Sequence, residues 1–190
     1  VEVCVAFWGA IRAGIVVIPL NTWLKPEHYA YMLADSRVRA IIAHVSLAPQ
    51  LSEAVRGTSS LQNVILTGGR DSWPDMGGHT PVGFEAVCGM GVGAVFAAAT
   101  LSDEVAFWLY TSGSTGDPKG VKHVHSSLMA TARLMGQGVL GIREDDVVLS
   151  AAKLFFAYGL GNAMSFPMSV GATAVLWPER PTPDAILALM

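Results

Sequence analysis

The stretch Val105-Ala-Phe-Trp-Leu-Tyr-Thr-Ser-Gly-Ser-Thr-Gly-Asp-Pro-Lys-Gly-Val121 places an apolar run directly before a loop rich in hydroxyl groups and glycine. Residues 105–110 are almost wholly apolar, β-branched or aromatic, which predicts a buried strand. Positions 111–119 then hold four Ser or Thr residues, two glycines and one lysine. The sequence therefore predicts a buried strand that leads directly into a loop rich in hydroxyl groups.

The chemistry of the loop is that of an anion-binding site. Glycines let backbone N–H groups approach an anion closely, because no Cβ intervenes. Ser and Thr hydroxyls can donate hydrogen bonds to phosphate oxygens, and Lys119 adds a compact positive charge. We therefore predict a polyphosphate site. The alternative is a Ser/Gly turn between two strands that binds nothing, since such clusters commonly mark loops.

The loop does not follow the Walker A pattern. Counted from Gly113, that pattern requires Gly-Lys at positions 118 and 119 and Ser or Thr at position 120. The chain has Pro118, Lys119 and Gly120 instead. Pro118 also restricts Asp117 to extended geometry, which blocks the immediate helix start of a Walker loop. Kinase and GTPase interpretations lose their main support.

The sequence around the loop alternates between helical and strand patterns. Apolar residues at helical spacing predict helices, and short β-branched runs predict strands covered on both faces. The predicted helices cover 3–11, 47–55, 126–137 with Ser126 as cap, 183–190 and a segment beginning at Pro26. The predicted strands are 15–20, 39–43, 63–66, 105–110, 120–124, 146–150 and 172–177. Repeated βαβ units imply an α/β fold with largely parallel sheets covered by helices.

Composition suggests that the 190 residues are part of something larger. Apolar residues make up 52 % of the chain and charged residues only 14 %, against an average charged share of about 25 %. The chain begins at Val1 and ends inside an apparently helical run, so we interpret it as an internal fragment. We divide it into a first α/β stretch (1–66), a connector (67–103) and a second α/β stretch with the loop (104–190).

Charge and cysteine content exclude several classes of function. A net charge of −3 gives no electrostatic footprint for nucleic acid or an anionic membrane. The longest apolar stretches are interrupted by Arg12 or too short to cross a bilayer, so we predict no membrane partner. Cys4 and Cys88 form no C-x-x-C pair, which argues against zinc. One disulfide is possible, but buried free thiols in a reducing cytoplasm fit better.

The order of residues in the loop resembles the signature of the acyl-adenylating superfamily, which includes acyl–CoA synthetases, luciferases and peptide-synthetase adenylation domains. That signature runs Tyr-Thr-Ser-Gly-Ser/Thr-Thr-Gly-x-Pro-Lys-Gly-Val, and every fixed position matches from Tyr110 to Val121. Less specific similarity covers 7–21 and 29–37. The resemblance implies that 1–190 is a partial N-terminal AMP-binding domain, with the C-terminal domain absent.

The resemblance also implies roles for the loop. In the superfamily this loop grips the β- and γ-phosphates of ATP while a carboxylate attacks the α-phosphate, giving an acyl-adenylate and pyrophosphate. The implied ATP phosphate-binding residues are Thr111, Ser112, Gly113, Ser114, Thr115, Gly116 and Lys119. Mg²⁺ would bridge the phosphates, with the Thr115 hydroxyl helping to hold it. His125 lies where the superfamily often carries a His, and we interpret it as a structural histidine that bonds backbone near a helix start.

No catalytic residue is assigned within 1–190. The superfamily's acidic Mg²⁺ ligand, its ribose-binding Asp and its catalytic Lys all lie further along, the last in the C-terminal domain. We therefore expect that residues 1–190 alone have no useful ligase activity.

A second segment, Lys153-Leu-Phe-Phe-Ala-Tyr-Gly-Leu-Gly161, is predicted to receive the acyl group. Many superfamily members carry Pro and His where this chain has Lys153 and Phe156. Two Phe, one Tyr and small residues would form a flat apolar slot for a planar ring. This segment and 165–172 resemble benzoate–CoA ligases. Ordinary core packing of the aromatics is the alternative, and it is our interpretation for Phe155. The predicted pocket residues are Phe156, Ala157, Tyr158 and Gly159.

The sequence thus predicts ATP-dependent conversion of a benzoate-like acid, through its adenylate, to a CoA thioester in the cytoplasm. Its partners would be an aromatic acid, ATP and CoA, in a route of aromatic compound degradation. Three alternatives stay open: a ligase for hydroxybenzoate, aminobenzoate or a cyclic aliphatic acid; a nucleotide-binding phosphotransferase; and a non-catalytic α/β protein.

Overall fold

Helices and strands alternate along residues 1–69, 72–91, 97–111 and 116–189, which the computed structural model describes. The helices are α1 (Glu2–Arg12), α2 (Pro26–Asp35), α3 (Ala48–Arg56), α4 (Phe84–Gly89), α5 (His125–Thr131), α6 (Ala157–Leu160), α7 (Phe166–Val170) and α8 (Pro183–Leu189). The strands are β1 (Ala40–His44), β2 (Asn63–Thr67), β3 (Val82–Gly83), β4 (Val105–Thr111), β5 (Lys119–Val124), β6 (Val147–Leu149) and β7 (Thr173–Val175). The predicted α/β fold is confirmed.

The first stretch forms a parallel sheet in the order β1-β2-β3, whose third strand lies within the predicted connector. Helix α3 makes the crossover between β1 and β2, which is the predicted βαβ unit. Side chains of β1 alternate between exposed and buried, so that Ile41 and Ala43 face the core. They share that core with Leu33 of α2 and with Leu51 and Val55 of α3. Burial of these apolar faces is the main stabilising contribution here.

The second stretch is built on the antiparallel pair β4–β5, in which Thr111 lies opposite Lys119. This pair departs from the parallel arrangement predicted for most of the chain. Antiparallel strands can be joined by a short loop, whereas parallel strands need a crossover of about a dozen residues or more. Residues 112–118 are too few for such a crossover. Strand β4 packs against α1, α5 and α6 in a second core.

The last strands, β6 and β7, pair in parallel. Between them the chain forms α6, a π-helical segment (Gly161–Ser165) and α7. A second π-helical segment (Ala132–Gln137) continues α5 and completes the predicted helix 126–137. The strands predicted at 146–150 and 172–177 and the helix predicted from residue 183 are confirmed with slightly shorter bounds.

Two local predictions were wrong. Residues 15–20 form no strand: only Val17 makes a bridge, to Phe107 of β4, and Ile15 is 59 % exposed. Pro19 lacks the N–H that a longer ladder would need. Ser126 does not cap α5, because the helix begins one residue earlier, at His125. The Ser126 N–H instead donates to the Ser102 carbonyl at 2.9 Å.

The cysteines are both free, as favoured from the sequence. Burial was predicted for both thiols, yet Cys88 is exposed and only Cys4 is half-buried. Burial raises the pKa of the Cys4 thiol. Within the described residues, no helix has the length and apolar character needed to cross a membrane.

Candidate active site

The hairpin loop is closed at its base by two of the predicted phosphate-binding residues. Thr111 ends β4 and Lys119 begins β5, and the two residues are paired across the antiparallel ladder. Both side chains are exposed. Paired Cα atoms in such a ladder lie about 4.5–5.5 Å apart. A hydroxyl and an ammonium group are therefore held side by side in solvent, where an anion can reach them.

Gly116 is the other predicted phosphate-binding residue that the structure describes. Its φ of +141° lies in a region that L-residues rarely adopt, although the space around it is open. The glycine is thus required by the backbone and not by crowding. The remaining members, Ser112, Gly113, Ser114 and Thr115, lie outside the described residues, and with them the predicted Mg²⁺ contact of Thr115.

Strand β4 is tied to helix α2 just before the loop begins. The Tyr110 hydroxyl donates to the Asp35 carboxylate at 2.6 Å, and the Met32 carbonyl oxygen lies 3.4 Å from the same hydroxyl. Burial, together with the hydrogen bond to Asp35, raises the pKa of Tyr110 well above its ordinary value. The sequence did not indicate a role for Asp35, because the local pattern of α2 gives no sign of a contact with Tyr110, which lies far along the chain.

The hairpin carries one aromatic contact on each side. The Lys122 ammonium lies 5.4 Å from the centroid of the Trp108 ring, which is a cation–π distance. The His123 ring stacks on Phe107 with centroids 4.7 Å apart and planes at 7°. Burial lowers the pKa of His123. These contacts hold β5 against β4 below the loop.

His125 is the first residue of helix α5, and the predicted role of its side chain stays a prediction. Its main-chain N–H donates to the Glu104 carbonyl at 3.0 Å, so the contact with backbone is made through the peptide group. This bond satisfies one of the N–H groups that the first turn of a helix leaves without an intrahelical partner.

Three of the four predicted pocket residues are exposed at the surface. Phe156 is 43 % exposed and Tyr158 is 68 % exposed. Ala157 is also exposed, whereas Gly159 is buried. A Cβ on Gly159 would lie 2.1 Å from the Lys153 carbonyl oxygen. Glycine at this position thus permits the close approach of α6 to the preceding turn, and its role in a pocket stays a prediction.

Phe155 connects the acyl segment to the first α/β stretch. It is half-buried, against our expectation of a core residue, and its ring contacts Trp23 and Phe156. Trp23 also borders a cavity of about 400 Å³. The cavity is lined by Thr22, Trp23, His44, Ser46, Leu47 and Gln50.

Lys153 holds the other end of the acyl segment. Its ammonium donates to the carbonyl oxygens of Trp177 and Glu179, in the segment that follows β7. Burial lowers the pKa of Lys153, and the Glu179 carboxylate partly opposes that effect. The sequence singled out this lysine only as a departure from Pro. The structure gives it a contact that Pro could not make.

Strand β4, which precedes the loop, and the acyl segment share one hydrophobic core. Phe107 and Leu109 of β4 pack in the same cluster as Leu160 of α6 and Met164, with Leu154 partly buried against it. Movement of either element is therefore transmitted to packed neighbours of the other. Within the described ranges, no three His, Cys, Asp or Glu residues come together as a metal site.

Comparison with known proteins identifies the family of this chain. The family model described as AMP-binding enzyme matches residues 1–190. The chain belongs to the AMP-binding enzyme family.

Relatives of this AMP-binding enzyme include a 4-hydroxybenzoate–CoA/benzoate–CoA ligase of Rhodopseudomonas palustris, 48 % identical over 98 % of this chain and 33 % of the relative. A crystal structure of a benzoate CoA ligase from Burkholderia xenovorans LB400 aligns with a TM-score of 0.82 and 46 % identity, covering 97 % of this chain and 34 % of that one. An anthranilate CoA ligase in complex with anthranoyl-AMP aligns with a TM-score of 0.88 and 31 % identity, covering 96 % and 34 %. The chain therefore spans about a third of the length of these relatives.

Proposed function

We propose that residues 1–190 are part of the N-terminal AMP-binding domain of an AMP-forming ligase that joins benzoate, or a similar aromatic acid, to CoA. In the first step a carboxylate oxygen attacks the α-phosphorus of ATP, and pyrophosphate leaves. In the second step the CoA sulfur attacks the carbonyl carbon of the acyl-adenylate, and AMP leaves. The enzyme would act in the cytoplasm, where both co-substrates are available.

The hairpin loop is the observation that carries this proposal. Its base places the Thr111 hydroxyl and the Lys119 ammonium side by side and exposed, and Gly116 takes a backbone conformation suited to glycine. Donors fixed before the reaction stabilise the charge that gathers on departing pyrophosphate without further reorganisation. We assign Ser112, Gly113, Ser114 and Thr115 to the same task.

The donor set also fits Mg²⁺ bound through phosphate. This ion prefers hard oxygen ligands and commonly takes most of them from phosphates and water. Thr115 would offer one hydroxyl oxygen, and the ion would supply further neutralisation of phosphate charge when bound. The Lys119 ammonium would offset one further unit of the negative phosphate charge.

An aromatic acid is proposed because of the acyl segment and the relatives. Phe156, Ala157, Tyr158 and Gly159 offer two rings and small residues with no carboxylate or ammonium group. The relatives named above are a 4-hydroxybenzoate–CoA/benzoate–CoA ligase, a benzoate CoA ligase and an anthranilate CoA ligase in complex with anthranoyl-AMP. Hydroxybenzoate is the second candidate acid, because the name of the Rhodopseudomonas palustris relative includes both 4-hydroxybenzoate and benzoate.

Pyrophosphate exchange tests the proposed function. The full-length ligase that carries these residues should incorporate labelled pyrophosphate into ATP only when benzoate and Mg²⁺ are present. Lys119→Ala should slow this exchange about 100- to 1,000-fold, the range for loss of one charge-stabilising group. Lys122→Ala, on the same strand but with its ammonium over Trp108, is the matched control and should exchange normally. Absence of benzoate-dependent exchange in the unaltered ligase would overturn the proposal.

A further inference from the structure

We infer that Asp35 is a positioning residue for the phosphate loop and acts through the hydroxyl of Tyr110. This inference rests on the proposed function, because a position of the loop matters only if the loop binds ATP. Asp35 belongs to a different α/β stretch from the loop, and no sequence motif connects it to ATP.

The position of Asp35 in its helix is unfavourable without Tyr110. It is the last residue of α2, where the negative end of the helix dipole opposes a carboxylate. The last turn of α2 holds no basic residue that could offset this charge. The Tyr110 hydroxyl supplies the compensation, with an O···O distance of 2.6 Å that is typical of a charge-assisted hydrogen bond.

The hydrogen bond between Tyr110 and Asp35 lies immediately before the loop. Tyr110 is the residue before Thr111, and Leu109 on its other side is buried in the second core. The strand is thus fixed by packing up to Leu109 and by a directional bond at Tyr110. Without that bond, the end of β4 would be held by its ladder with β5 and by the longer contact of the Tyr110 hydroxyl with the Met32 carbonyl.

The far side of the loop lies near the same helix. The Asp117 carboxylate is close enough to Tyr31 of α2 to contribute to the raised pKa of that phenol, after burial and the Asp35 carboxylate. A shift of α2 would be transmitted to Tyr110 through its hydrogen bond with Asp35.

The test is a set of variants in the full-length ligase. Tyr110→Phe and Asp35→Ala should each lower kcat/KM for ATP about tenfold, as loss of a hydrogen bond to a charged group predicts, with KM for benzoate within about twofold. The double variant should be no worse than Tyr110→Phe, because that single change already removes the bond to Asp35. Asp35→Asn keeps an acceptor oxygen and should recover most of the loss.

Tyr29→Phe is the matched control for a purely structural effect. It removes another hydroxyl of α2, which donates to the Asn21 carbonyl at 2.8 Å. This variant should lower Tm while leaving kcat/KM for ATP unchanged. Calorimetric titration with Mg–ATP provides a second readout that needs no turnover.

The outcomes separate the two proposals. If the unaltered ligase exchanges pyrophosphate and both Tyr110→Phe and Asp35→Ala keep normal kcat/KM for ATP, the inference about Asp35 is wrong and the proposed function stands. If the unaltered ligase binds Mg–ATP without exchange, the proposed function is wrong. The affinities of the same variants for Mg–ATP then decide the inference about Asp35: weakened binding supports it, and unchanged binding overturns it.

Discussion

The Trp23 indole meets the Phe155 ring edge to face, with ring centroids 5.6 Å apart and planes at 84°. Phe155 in turn tilts against Phe156, at a centroid distance of 4.6 Å. A residue from the segment between α1 and α2 thereby supports the segment proposed to receive the acyl group. Under the proposed function, this contact connects the first α/β stretch to acid recognition, and its removal should affect the acid more than ATP.

Trp23→Ala should raise KM for benzoate in the full-length ligase about three- to tenfold, as loss of an edge-to-face aromatic pair predicts. Trp23 is 57 % exposed, so its removal leaves a small cavity and Tm should change little. Trp23→Phe retains an aromatic ring and is the control. Steady-state kinetics with benzoate varied at saturating ATP measures the effect, and an unchanged KM for benzoate in Trp23→Ala would contradict the supporting role.

Lys153→Met should destabilise the protein by about 1–3 kcal/mol, because two carbonyl oxygens lose a charged donor. Methionine keeps the length of the side chain and its apolar packing, so the loss reports on the hydrogen bonds to Trp177 and Glu179. Urea unfolding measures the free energy of unfolding. Lys122→Met, which removes an ammonium lying over the Trp108 ring, should cost less than about 1 kcal/mol. Equal losses for the two variants would show that the Lys153 contacts add no stability.

Local periodicity was enough to predict most elements of the fold. The crossover unit of β1, α3 and β2 follows from two β-branched runs around an amphipathic helix, and Pro26 marks the first residue of α2. The loop could be identified because its chemistry is concentrated in nine consecutive positions, 111–119.

The errors arose where distant residues decide local structure. Residues 15–20 have the composition of a buried strand, but among the described residues their strand pairing is limited to one bridge between Val17 and Phe107. Ser126 looked like a cap, but carbonyls of Ser102 and Glu104 satisfy the first N–H groups of α5. Asp35 and Trp23 were missed for the same reason, since their partners lie in the second α/β stretch.

Because of His123, the free energy of unfolding should decrease as the pH falls below 6.5, the ordinary pKa of this side chain. Burial lowers its pKa in the folded state, so between the folded value and 6.5 the unfolded chain binds more protons than the folded one. The neutral ring makes its full contribution to the free energy of unfolding above pH 6.5. This contribution is lost as the pH falls through the pKa of His123 in the folded state. His123→Phe keeps a ring against Phe107 and removes the titration. Its unfolding midpoint should depend less on pH below 6.5 than that of the unaltered protein, and equal pH dependence would contradict this assignment.

Arg37→Gly should stabilise the protein by about 0.5 kcal/mol, which is the net of two opposing effects. Arg37 follows the C-cap of α2 with φ of +50°, and its N–H and that of Val38 donate to the Ala34 and Leu33 carbonyls. This left-handed conformation costs an L-residue about 1–2 kcal/mol, whereas glycine adds about 0.4–1 kcal/mol of entropy to the unfolded chain. Arg37→Ala is the control, because it removes the charged side chain and keeps the Cβ that causes the strain. The glycine variant should therefore unfold at a higher urea concentration than the alanine variant, and the reverse order would show that backbone strain at this position is negligible.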